Sequence, residues 1–191
     1  MTGSSIALKP ELGLSQQDKG EGWVLTCVRS AETDVLIDAE DLGGAALPPP
    51  RTFPCRIQSI ERLANDVLQV TLRLPPASEL IFLPGQYVDL IGPGGVRRSY
   101  SLANMASADK QLTLHIREVP DGAMSRYWFQ QAAQNDLLRL HGPLGTFFLR
   151  HIANQHLVFL ATGTGIAPVK AMLEALDTLA SQERPASVRV Y

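Results

Sequence analysis

The sequence predicts a mixed β and α/β protein: a six-stranded antiparallel β-barrel, then a partial α/β domain, with a small separate region in front. Three observations predict it. From residue 51 to about 148, polar and apolar residues alternate in short runs divided by turn residues, as in a closed barrel of half-buried strands. Past residue 155 the pattern becomes an apolar run, a Gly-rich turn and an amphipathic helix, which is how a βαβ unit reads. In between the two ends, Gly43-Gly44-Ala45-Ala46-Leu47-Pro48-Pro49-Pro50 reads as a linker, because consecutive prolines favour extended polyproline geometry and cannot sit inside a sheet.

Residues 1 to about 20 are polar and pattern-poor. Trp23–Val28 and Asp34–Asp38 read as strands. In the barrel, Cys55–Ile60 alternates, and Val67–Leu74 puts Leu68, Val70, Leu72 and Leu74 on one face, with Asn65-Asp66 as the turn between them. Tyr87–Ile91 is bracketed by Pro84-Gly85 and by Gly92-Pro93-Gly94-Gly95. Arg98–Leu102, Gln111–Val119 and Leu137–Leu140 complete the six strands. One helix interrupts them after Asp121-Gly122, since Met124, Tyr127, Trp128 and Ala132 share a helical face. Leu157–Ala161 is continuously apolar, as expected of a parallel strand buried on both faces. The next helix aligns Val169, Met172, Leu173, Leu176 and Leu179, with Pro168 in its first turn, where a missing N–H costs nothing. Ser187–Tyr191 reads as a second strand.

Composition narrows the function. The 191 residues suffice for one or two small domains, and 45% hydrophobic content suffices for a core. A net charge of -2 with no basic stripe argues against nucleic acid or an anionic membrane surface as partner. No apolar run approaches the roughly 20 residues of a spanning helix, and the N-terminus does not read as a signal peptide. Cys27 and Cys55 give no disulfide framework, so a reduced, cytoplasmic setting is expected.

Three short motifs carry chemistry. In Thr162-Gly163-Thr164-Gly165-Ile166-Ala167-Pro168 the glycines let backbone approach a pyrophosphate, and the helix start offers free N–H groups. In Arg98-Ser99-Tyr100-Ser101 a guanidinium matches phosphate, a phenol ring packs on a flat ring system and a hydroxyl can donate to a ring nitrogen. Gly122-Ala123-Met124-Ser125 opens a helix and is a second candidate anion site. Each alone has a plain structural reading: a common βα turn, a polar exposed strand, a capping turn.

Taken in order, the three motifs resemble the ferredoxin–NADP reductase superfamily. Phe82-Leu83-Pro84-Gly85-Gln86-Tyr87-Val88 is similar to that family's strand before the flavin motif, and His141-Gly142-Pro143-Leu144-Gly145-Thr146-Phe147-Phe148 to its interdomain loop. The resemblance covers about residues 52–191 and implies a flavin-binding barrel at 51–150 and a partial Rossmann-like, nicotinamide-binding domain at 155–191. It implies that Arg98 holds the flavin phosphate, Tyr100 packs along the flavin and Ser101 lies near its N5, with Tyr100 and Ser101 as the catalytic pair and Ser99 beside them. It implies that His115, Ile116 and Arg117 line the adenylate or ribityl side, and that Gly122, Met124 and Ser125 cap the pyrophosphate. Thr162, Gly163, Thr164, Gly165 and Pro168 would face the nicotinamide dinucleotide. The pyrophosphate cap favours FAD over FMN; NADH and NADPH stay equally open.

Gly22–Cys27 and the strand after it resemble the end of a plant-type [2Fe–2S] ferredoxin domain, so residues 1–46 read as a remnant of one. That order of domains is similar to CDP-6-deoxy-glucoseen reductases and oxygenase reductase components. A cluster needs four thiolates, and Cys27 stands alone, so no cluster is expected and Cys27 is expected to be a small buried residue. The chain therefore reads as an NAD(P)H-dependent, FAD-containing reductase truncated at both ends, whose activity the truncation puts in doubt. Its partner would be an electron-acceptor protein or small-molecule acceptor. Val188, Val190 and Tyr191 would leave an apolar sheet edge open to a partner chain. The alternative is a non-catalytic flavin-binding module, or a fragment completed by another chain.

Overall fold

A computed structural model describes residues 2–38 and 47–191. The chain divides into two units, Met1–Ala46 and Leu47–Tyr191. Of the expected linker, residues 43–46 lie outside the described residues, and residues 47–50 carry no regular structure.

The N-terminal unit is organised by an ion pair. Strand β1 (Ser5–Ala7) pairs antiparallel with β2 (Arg29–Ala31), and helix α1 (Gln16–Gly20) is closed by a Ser15–Asp18 capping box. Glu11 is the one buried residue among residues 2–38. Its carboxylate accepts from Arg29 Nε at 2.7 Å, Arg29 Nη2 at 2.9 Å and the Leu25 amide at 3.1 Å. The Arg29 and Leu25 hydrogen bonds hold that carboxyl down at about 2. Two expected strands are absent. Thr26–Val28 is a 3-10 turn, with Cys27 exposed on it rather than buried, and residues 34–38 make only the Thr2–Leu36 bridge. The reason is that no apolar side chain among residues 2–38 is buried: Leu12, Trp23 and Leu36 are all exposed, so alternation there has no core to point at.

The second unit contains β3 (Arg51–Ala64), β4 (Val67–Arg73), β5 (Tyr87–Ile91), β6 (Arg97–Ser101), β7 (Gln111–Arg117), α2 (Ala123–Arg126) and β8 (Leu137–Leu144). The strands form one antiparallel sheet in the order β6-β5-β8-β3-β4-β7. Strand β3 is long because it serves two partners, β8 over residues 51–56 and β4 over residues 56–64. The inward residues match the alternation: Leu68, Val70 and Leu72 face Val88, Leu90, Leu112, Leu114, Ile116, Leu138 and Leu140 in one core. Met124, Tyr127 and Trp128 close one end of it. Helix α2 is shorter than the apolar spacing suggested. After one turn it widens, Ala132 donating to the Tyr127 carbonyl five residues back.

The expected closed barrel is corrected. The edge strands β6 and β7 meet at a single bridge, Leu102–Leu114. On one side of it the Asn104 side chain replaces a backbone ladder, accepting from the Thr113 amide at 2.7 Å and donating to the Gln111 carbonyl at 3.0 Å. On the other side the strands part.

Strand β9 (His156–Phe159), helix α3 (Ile166–Asp177) and strand β10 (Ser187–Val190) make one βαβ unit, with β10 parallel to β9. Phe159, Val169 and Met172 form its buried cluster. The expectation that β9 is buried on both faces does not hold. Helix α3 covers one face, leaving Val158 59% and Leu160 79% exposed. Gly85 joins this unit to the sheet. Its φ of +106° lies in the glycine region, and a Cβ there would sit 2.1 Å from the Phe147 carbonyl oxygen and 2.3 Å from Met172 Cε. Buried Gln86 beside it accepts from the Leu83 amide and donates to the Gly145 carbonyl, both at 2.9 Å. No helix among the described residues is long and apolar enough to cross a membrane.

Replacing Gly85 by Ala forces both the clash and an unfavourable φ, so we expect a loss of about 3 kcal/mol. Urea denaturation measures it; an unchanged midpoint would remove Gly85 as the junction.

Candidate functional site

The parted edges of β6 and β7 form the candidate site. The Leu102 amide donates to the Gln86 carbonyl at 3.0 Å, so the even-numbered residues of β6 are the ones bonded to β5. The amides and carbonyls of Ser99 and Ser101 therefore point into the gap. On β7 the Thr113 carbonyl accepts from Ala103 at 2.8 Å, while Glu118 donates to Asp66 on the β4 side at 2.8 Å. The odd-numbered residues His115 and Arg117 thus present their backbone groups to the same gap. The Leu102–Leu114 bridge, flanked on one side by the Ala103–Thr113 hydrogen bond, joins the His115 amide to the Ser101 carbonyl on the other; among the described residues the backbone groups of Ser99 and Arg117 and the Ser101 amide have no protein partner, although strand edges are normally paired or covered.

Side chains complete the rim. Leu90 pairs with Arg98 and Val88 with Tyr100, so Arg98 and Tyr100 leave β6 on the core-side face. Arg98 is exposed, donates one N–H to the Arg97 carbonyl at 2.8 Å and has no carboxylate partner among the described residues. Half-buried Tyr100 stands edge-on to Trp128, with centroids 6.3 Å apart and planes at 86°, and its oxygen accepts from Trp128 Nε1 at 3.0 Å. Burial raises the Tyr100 phenol above its usual range, against the Trp128 hydrogen bond and the Arg98 charge, so it keeps a proton to donate. Ser99 and Ser101 lie on the opposite face, where Ser99 Oγ donates to Asp89, which also pairs with Arg97. Of the β7 residues, His115 and Arg117 share that outward face; Arg117 pairs with Asp66 at 3.0 Å.

Not every candidate is brought to the gap. Ile116 is 1% exposed and its backbone pairs with Leu68, so neither its side chain nor its amide reaches the rim. Met124 is a core residue lying under Gly92. Ser125 is buried and its hydroxyl accepts from the Val119 amide at 2.8 Å, which ties down the loop ahead of α2; Gly122 is the N-cap of that four-residue helix.

The Gly-rich turn lies against β7. Gly163–Gly165 forms a 3-10 turn leading into α3, with exposed Thr162 as its cap and half-buried Thr164 inside it. Gly163 has a φ of +53°, and a Cβ there would stand 3.5 Å from Arg117 Nη1. Pro168 is buried in the first turn of α3. Two residues that the motifs did not flag fix this placement. Lys170 Nζ donates to the Ala103 carbonyl at 3.0 Å, and Glu174 accepts from the Met105 amide at 3.1 Å. Their i, i+4 spacing was visible in the sequence; their target, the loop after β6, was not. Trp128 was missed as a partner of Tyr100 because it acts from 28 residues away, and Asn104 and Asp89 because their partners depend on strand register. Among the described residues no group of three or more His, Cys, Asp or Glu side chains is placed to hold a metal ion.

Known proteins can now be set beside this geometry. Residues 54–149 match the family described as oxidoreductase FAD-binding domain. The chain is 42% identical over 163 residues to the CDP-6-deoxy-L-threo-D-glycero-4-hexulose-3-dehydrase reductase of Yersinia pestis, spanning 85% of this chain and 49% of that one. It is 35% identical over 182 residues to the 2-halobenzoate 1,2-dioxygenase electron transfer component of Burkholderia cepacia, covering 95% of this chain and 53% of that one. Its fold resembles the crystal structure of the Amycolatopsis cytochrome P450 reductase GcoB, with a TM-score of 0.64 and 33% identity over 100% of this chain and 58% of that one. The chain thus spans about half the length of the curated relatives it matches.

His115 gives a pH test. Its Nε2 is buried without a partner, and burial, aided by the Lys170 charge and opposed by Glu174, holds the imidazole below its usual range. Below about pH 6.5 the unfolded chain takes up a proton that the folded chain refuses, so stability falls on acidification until the folded midpoint is passed. Urea denaturation between about pH 5 and 7.5 should show that slope, and H115Q should flatten it. A His115 titration midpoint above the usual value would contradict the burial.

Proposed function

The chain belongs to the family of oxidoreductase FAD-binding domains, and from that premise we propose that it carries electrons from NADH or NADPH through FAD to an acceptor. The observation that carries the proposal is the parted β6–β7 edge, because unpaired amides of Ser99, Ser101 and Arg117 line it beside the carboxylate-free Arg98 guanidinium. That donor set fits a ligand with phosphates and ring acceptors. Bound FAD would supply the redox chemistry, taking a hydride, two electrons with one proton, from the nicotinamide ring at flavin N5.

The chain's own residues have separate tasks in this reading. Arg98 binds phosphate oxygens through its free N–H groups. Tyr100, fixed by Trp128, offers a ring face and a phenolic proton. Ser101 and Ser99 supply edge amides, with Ser101 at the end nearest α3. His115 and Arg117 supply the opposite edge. The Gly122–Ser125 turn caps the phosphate side through backbone, not through Met124 or the occupied Ser125 hydroxyl. Thr162, Gly163, Thr164, Gly165 and Pro168 form the turn that receives the dinucleotide. Residues 51–150 would then be the flavin domain, residues 155–191 part of a Rossmann-like domain, and residues 1–46 a remnant related to a ferredoxin domain, working in the reducing cytoplasm. Relatives named as reductases or electron transfer components of dehydrase and dioxygenase systems favour a protein as the acceptor.

A second reading has its own support. Val158, Leu160, Val190 and Tyr191 are exposed on and beside β9 and β10, which favours a flavin module completed by further chain.

Reconstitution with FAD should give a yellow protein, and anaerobic NADH or NADPH should bleach it. R98A should weaken FAD binding about ten- to a hundredfold. A colourless chain after reconstitution would overturn the proposal. Retained colour without bleaching would move the assignment to the module.

A further inference from the structure

We infer that Lys170 and Glu174 are positioning residues that set how the Gly163–Gly165 turn is presented to the flavin gap, an inference resting on the reading of that gap as the FAD site. Helix α3 is held to the loop following β6 at two points one helical turn apart. Lys170 Nζ donates to the Ala103 carbonyl at 3.0 Å and Glu174 accepts from the Met105 amide at 3.1 Å, while the two side chains pair with each other. The loop they grip is itself rigid. Asn104 between them is tied to the Met105 and Gln111 carbonyls and to the Thr113 amide, the last at 2.7 Å. Ala103 donates in turn to Thr113 on β7 at 2.8 Å. Ser101 lies two residues before Ala103 and His115 two residues after Thr113. The grip on α3 and the near end of the gap thus share one short, fully bonded segment.

The other end of the lever is the Gly-rich turn. It runs straight into α3, with Gly163 close to Arg117 on β7. The Gly163–Arg117 approach is a near contact without a hydrogen bond, so it does not by itself hold the turn in register. The apolar side of α3 packs Val169 and Met172 against Phe159, and Met172 also reaches Gly85 ahead of β5, so apolar contacts hold the helix to its own strand and to that one point of the sheet. Lys170 and Glu174 are the polar ties that fix it. Their charges are also felt by His115, whose Nε2 is buried without a partner among the described residues. Neither side chain is deeply buried, at 42% and 37% exposed, so the pair contributes little to global stability and its effect is on placement.

The test uses the whole chain with K170M, E174A and E174Q, the last keeping an oxygen acceptor for the Met105 amide. Amide hydrogen exchange is measured first, without nucleotide. E174A should speed exchange at Met105 and at residues 164–167 about tenfold or more, while β4 and β5 amides and the FAD affinity stay within about twofold. E174Q should restore protection at Met105. With FAD bound, bleaching by NADH or NADPH should slow about ten- to a hundredfold in K170M and E174A, because small misplacements of reactants are costly. Unchanged exchange at residues 164–167 in E174A would overturn the inference, as would a fall in FAD affinity parallel to the slowed bleaching. If neither nucleotide bleaches the unaltered chain, the hydride reading falls, and the exchange result alone decides whether the grip exists.

Discussion

The arrangement depends on one constraint: the backbone ladder between the edge strands of the sheet is limited to one bridge, Leu102–Leu114, and its flanking hydrogen bonds. An antiparallel sheet this curled has a simple way to satisfy its edges, which is to pair them. Here the pairing is limited to one bridge, and Leu102 and Leu114 are both fully buried, so the bridge is a fixed hinge point rather than a frayed end. Beyond it, the backbone groups of Ser99 and Arg117 and the Ser101 amide are left facing a gap. The core below the gap is complete, so the opening weakens the hydrogen-bonding ladder without weakening the packing.

What surrounds the gap is rigid for separate reasons. Gln86 and Gly85 bind the strand before β6 to the segment leading into the βαβ unit, and Gly85 allows backbone and Met172 to come closer than any side chain would. Asn104 substitutes for a missing ladder beside the bridge. Trp128 fixes the Tyr100 ring through a hydrogen bond and an edge-on contact. These supports lie outside the Arg98–Ser101 motif itself, and it is such surrounding residues that hold a site to within fractions of an ångström.

Much of this was legible beforehand, and the limits of legibility have physical causes. Alternation located β4, β5 and β7 almost to the residue because each has one face on a large core, as Leu68, Val70 and Leu72 illustrate. The same rule failed at Trp23–Val28 and residues 34–38, where no core exists and an ion pair at Glu11 organises the chain instead. It also overstated the burial of β9, since an apolar run does not say how many layers cover it. The motif at residues 98–101 was readable as chemistry, but the pleat that divides Arg98 and Tyr100 from Ser99 and Ser101 becomes meaningful only once the register with β5 is known. The roles of Lys170 and Glu174 were not readable at all, because their partners are backbone atoms about 70 residues away. The family match and the geometry meet at the same strands by independent routes, one through sequence similarity over residues 54–149 and one through unpaired backbone.

The most direct measurement is amide hydrogen exchange on the whole chain with and without FAD. The account predicts that FAD protects the amides of Ser99, Ser101 and Arg117 strongly, while those of Tyr100, His115 and Ile116, already bonded to neighbouring strands, change little. Flavin binding with no added protection at those three amides, or with protection centred on another face of the sheet, would contradict it.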